Sequence, residues 1–169
     1  MRCRSGNFRI RTVTLGKSFE DGRVSDDPYN LDRFVTAQRE TYDVALGELC
    51  GGEKRSHWIW FIFPQVAGLG SSAMAVRYAI KSRAEAEAYL AHPVLGRRLR
   101  ECANALLRVV NKTAEQVMGR PDDMKLRSSM TLFAAIAEPG SPFHLVLDRY
   151  FSGESDFRTV EFLAARETP

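Results

Sequence analysis

The sequence is poor in cysteine and histidine. Cys3, Cys50 and Cys102, with His57, His92 and His144, are all it has in 169 residues. No CxxC pair occurs and the histidines lack ligand spacing, so no zinc ribbon, redox dithiol or other metal site is expected. An odd, scattered cysteine set also argues against a disulfide framework and for a reducing cytoplasm. No apolar run exceeds six residues, the length of Trp58–Phe63. That is far below the roughly 20 residues of a membrane span. The basic N-terminus has no apolar stretch behind it, which excludes a secretory signal. GxGxxG, GxxxxGK[ST], GxSxG, HExxH and DxDxDG are all missing, so no cofactor is expected.

The chain is modestly basic, at +3, with 24 basic and 21 acidic side chains. That excess is local. Residues 1–24 hold Arg2, Arg4, Arg9, Arg11, Lys17 and Arg23 against Glu20 and Asp21, a balance of +4. The remainder therefore sums to −1. Nucleic acid is not an expected partner, because the basic charge is confined to the start instead of forming a stripe on the domain. Residues 1–25 read as a flexible basic leader and 26–169 as one helical domain. Val24 could be read as an alternative bacterial start, which would make residues 1–23 an upstream extension.

Helical periodicity dominates the rest. Leu31, Val35, Gln38, Tyr42, Ala45 and Leu49 recur at three-to-four spacing behind Asn30, a candidate N-cap, and Gly51-Gly52 stops the run. Ser82 with Glu85, and Thr113 with Gln116, are capping-box pairs. Leu95, Leu99, Cys102 and Leu106 form a long apolar stripe. Further helices are expected over 73–80, from Pro121 to about Ala137, over 143–151 and over 157–165. The segment His57–Gln65 reads as a buried strand or a short apolar helix, and its length does not decide between them. These spacings predict an all-α bundle of about six or seven helices with short loops.

Two segments carry chemistry. In the first, Trp58, Ile59, Phe61 and Phe63 are large enough to be core. Trp60 can wall a pocket, and His57 and Gln65 flank the run with a titratable group and an amide. Gly68-Leu69-Gly70-Ser71-Ser72 follows; Ser71 is a binding candidate, while the plainer reading is a loop with a serine cap. In the second segment, Lys125, Ser128 and Ser129 share a helix face at i, i+3 and i+4. Lysine beside serine can bind an anion or serve as a base–nucleophile pair. The plainer reading is small residues packed against a neighbouring helix. His57 and Lys125 are the candidates for moving a proton.

The stretches Tyr29–Gln38, Lys54–Gln65, Gly68–Ser71, Tyr89–Gly96 and Asp123–Phe133, with their HWxWFxFPQ and KLxSSMTLF patterns, resemble domain-of-unknown-function family 1810. The resemblance implies a small, largely helical bacterial domain and favours the helical reading of the aromatic segment. Some members carry a calpastatin label; calpain inhibitors of that name are disordered and repetitive, and this chain is neither. The function expected is binding of a small anionic, nucleotide-like ligand where the two patterned segments meet. The alternative is a non-catalytic interaction module with a protein partner.

Overall fold

A computed structural model describes residues 27–165. The leader expected over residues 1–25 lies outside them. Among the described residues there are ten helices. They are α1 (Asp32–Gln38), α2 (Tyr42–Cys50), α3 (Ile59–Ile62), α4 (Ala73–Arg77), α5 (Arg83–Ala91), α6 (Leu95–Arg108), α7 (Ala114–Met118), α8 (Asp122–Ala134), α9 (Pro142–Phe151) and α10 (Phe157–Ala164). The all-α class holds, while the expected six or seven helices become ten. The additions are single-turn helices and one division. No helix among the described residues is long and apolar enough to cross a membrane.

The division falls in the predicted Leu31–Leu49 helix. Around Thr36–Thr41 the ladder tightens to i−3 bonds, Arg39 N–H to Thr36 O at 3.2 Å and Thr41 N–H to Gln38 O at 3.3 Å. The turn leaves Gln38 inside, where its amide donates to Phe61 O at 2.7 Å and to the Tyr89 hydroxyl at 3.1 Å. Asn30 is not the cap. Its φ is +52°, and the Asp27 carboxylate instead accepts from Leu31 N–H at 2.7 Å and Asp32 N–H at 2.9 Å. The expected caps at Ser82 and Thr113 are present, the latter as a full capping box with Gln116.

The aromatic segment forms one helical turn, α3, not a strand. Trp58, Ile59, Phe61 and Phe63 are buried, as core residues of that size should be. After Pro64, an isolated parallel bridge pairs Val66 with Ile80. Helix α6 lies at the centre, packed on α2, α5 and α9, with Leu95, Leu99, Cys102 and Leu106 buried. Burial pushes the Cys102 thiol up to about 12, so it stays protonated core. Rings run through the middle: Phe34 meets Tyr89 edge-on at 5.0 Å, Tyr89 meets Phe133 at 5.4 Å, and Phe133 meets Phe143 at 5.8 Å. Gly96 lets α6 approach α5, because a Cβ there would collide with the Leu90 carbonyl.

One buried ion pair locks α1 to the α4–α5 connection. Arg33 donates from Nε to Arg77 O, from Nη1 to Tyr29 O and Asn30 O, and from Nη2 to Ala79 O and Glu85. The same Glu85 carboxylate accepts from Lys81 N–H at 2.8 Å. All five guanidinium donors are occupied, and the charges match one to one.

Candidate functional site

The two patterned segments meet where α8 begins. Lys54 enters along the backbone, its N–H donating to Val117 O at 2.7 Å. Its side chain is only 7% exposed. The ammonium lies 2.6 Å from Asp122, donates to Ser56 O at 2.7 Å and sits 5.1 Å from the Trp58 ring centre. Asp122, the first residue of α8, also accepts from Lys125 at 2.8 Å. Lys125 lies over the Trp60 ring at 4.7 Å and is 23% exposed. Cations over indole faces are attracted by the ring quadrupole. Burial acts to raise Asp122, but the hydrogen bonds from Lys125 and Lys54 outweigh it and hold its carboxyl below the usual range. Two ammonium groups thus share one carboxylate. Asp123 is the next acid, but its carboxylate faces Arg120, 4.0 Å away.

One wall of this corner is set by Glu48 of α2. Its carboxylate accepts from Arg55 N–H at 2.9 Å, Ser56 N–H at 3.1 Å, the Ser56 hydroxyl at 2.6 Å and the Trp58 indole at 2.8 Å. Burial opposes ionisation, yet these donors bring Glu48 down to about 2. The loop before α3 is thereby pinned, and with it both tryptophans.

The sequence-predicted residues separate into groups. Trp60 and Lys125 come together, with Trp60 half-buried. Ser128 and Ser129 turn inward. Ser128 donates to Met124 O at 3.2 Å, and Ser129 is fully buried with no hydrogen-bond partner for its hydroxyl. Both fit the packing reading of that helix face. His57 is exposed in the loop before α3. Gln65 is half-buried, and its carbonyl accepts from Ile80 N–H. Ser71 is exposed, while its neighbour Ser72 caps α4 by accepting from Ala75 N–H. Sequence reasoning missed Lys54, Asp122 and Glu48. Only the Asp122–Lys125 pair carries a local signal, an i,i+3 spacing.

Elsewhere, a groove of about 430 Å³ runs between the start of α1 and the end of α5. A cleft of about 220 Å³ lies between α8, α9 and α10. No group of three or more His, Cys, Asp or Glu side chains among the described residues could hold a metal ion.

No curated protein matches the chain. Among solved structures it is similar to the conserved hypothetical protein Rv1873 from Mycobacterium tuberculosis, at 50% identity and a TM-score of 0.80. The likeness covers 82% of this chain and 99% of that one. Residues 28–163 match the family described as protein of unknown function DUF1810. That span takes in α1 through nearly all of α10, including Lys54, Trp60, Asp122 and Lys125, and the chain belongs to the DUF1810 family.

Proposed function

We propose that this domain binds a small anionic, nucleotide-like ligand at the corner made by Trp60, Lys125, Asp122 and Lys54. The observation that carries the reading is the pairing of two ammonium groups with a single carboxylate, beside a half-buried indole. An incoming phosphate or carboxylate would share the partly exposed Lys125 with Asp122. Charge-assisted hydrogen bonds of this kind are about twice as strong as neutral ones. A flat base would stack on Trp60. Ser128 and Ser129 face inward on α8, and Gln65 and Ser71 are not among the groups proposed to hold the anion.

Thermal shift with AMP, inorganic phosphate and adenosine tests this. AMP raises the melting temperature more than either fragment, and Lys125→Ala removes the shift. An AMP response unchanged in Lys125→Ala, or no response to AMP or phosphate, overturns the reading. A second reading, a non-catalytic interaction module, draws on α10, where Phe157 is 70% and Val160 45% exposed one turn apart. Phe157→Ser would abolish capture of a partner on that reading and leave AMP binding intact on the first.

A further inference from the structure

We propose that the groove between the start of α1 and the end of α5 is a second binding site, for a small organic ammonium ion with an apolar body. Its volume of about 430 Å³ lies in the range of small-molecule sites. Pro28, Tyr29, Leu31, Val35 and Ala88 give it mostly apolar walls. Among the described residues its charged or titratable lining groups near neutral pH are Asp27, Asp32 and His92, with no lysine or arginine.

Asp27 accepts two backbone N–H bonds at the head of α1. Burial works to raise its pKa, but those bonds prevail and keep it ionised. Arg33 also acts on Asp27, but its donors are all engaged by the Glu85 carboxylate and by backbone carbonyls. Asp32 is exposed on the rim, one turn before Val35. At His92, Nδ1 accepts from Val94 N–H at 3.2 Å and Leu95 N–H at 3.3 Å. An apolar groove whose described lining carries two carboxylates and no lysine or arginine complements an amine. The site is therefore opposite in sign to the Lys125 corner and independent of it.

The test is a ¹H–¹⁵N titration of the full chain with benzylamine and with its neutral analogue, benzyl alcohol. Benzylamine shifts the amides of Leu31, Asp32, Val35 and His92 saturably. Asp32→Asn weakens benzylamine about threefold to fivefold, as expected for one exposed carboxylate–ammonium pair, and leaves benzyl alcohol unchanged. Ala88→Leu, which fills the wall, removes both. Equal affinity for amine and alcohol, insensitivity to Asp32→Asn, or no saturable shifts at those four amides would overturn the proposal.

Discussion

Two charged clusters in this domain are built alike and end differently. In both, a basic group lies over an aromatic ring: Arg33 over Phe34 at 4.2 Å, and Lys125 over Trp60 at 4.7 Å. In both, a mostly buried carboxylate answers it. At Arg33, one guanidinium meets one carboxylate and four carbonyls, the side chains are 10% and 3% exposed, and nothing is left over. At Lys125, two ammonium groups meet one carboxylate, and the outer lysine reaches solvent. The first cluster is closed and ties helices together. The second leaves at the surface an ammonium whose carboxylate is shared with a buried lysine.

That difference can be broken from either side. The largest effect is expected at the closed cluster. Arg33→Met strands Glu85 in the interior, and losing one partner of a buried pair costs about 3–5 kcal/mol. Urea unfolding measures it. Arg33→Met with Glu85→Met recovers part of the loss, because no buried charge remains.

An intermediate effect is expected at Glu48, the closed wall beside the open corner. Glu48→Gln loses the charge-assisted part of four hydrogen bonds, about 1–3 kcal/mol. Its carboxyl titrates near 2 in the fold against an ordinary 4.5. A depressed pKa contributes stability that is complete above about pH 4.5 and fades as pH falls toward 2. Wild type and Glu48→Gln should therefore differ most at neutral pH and converge in acid, in urea midpoints taken across that range. A gap that widens below pH 4 would reverse the assignment.

The smallest effect on stability is expected at the open corner. Lys125→Ala removes a partly exposed i,i+3 pair and a cation–ring contact, and costs under about 1 kcal/mol. Its effect on AMP binding is the reverse, a near-complete loss. A stability loss as large as that of Arg33→Met would place Lys125 with the structural cluster instead.

The sequence made the local half of this comparison legible. The Ser82 and Thr113 caps, the stop at Gly51-Gly52, the α6 stripe and the buried members of the aromatic segment all follow from spacings within one helical turn or two. The Lys125 and Trp60 candidates follow from residue type and face. What escaped is long-range. Arg33 and Glu85 are 52 residues apart, and neither periodicity nor propensity links them. Lys54 meets Asp122 only because the loop before α3 passes the head of α8, which no local pattern encodes. The turn at 39–41 escaped for a related reason: an unbroken apolar stripe looks the same whether the helix continues or tightens for one turn. Ser128 and Ser129 share the face of Lys125 by spacing, yet only packing decides that the lysine turns out and the hydroxyls in.

The chain has two tryptophans, and they divide the account cleanly. Trp58 donates its indole N–H to Glu48 inside the core, and Trp60 lies under Lys125 at the surface. Their two indole N–H signals can be followed in one ¹H–¹⁵N titration with AMP. The Trp60 signal should move saturably in wild type and stand still in Lys125→Ala, while the Trp58 signal stays fixed in both. Movement of neither signal, or movement of Trp60 that persists in Lys125→Ala, would contradict an anion site at this corner.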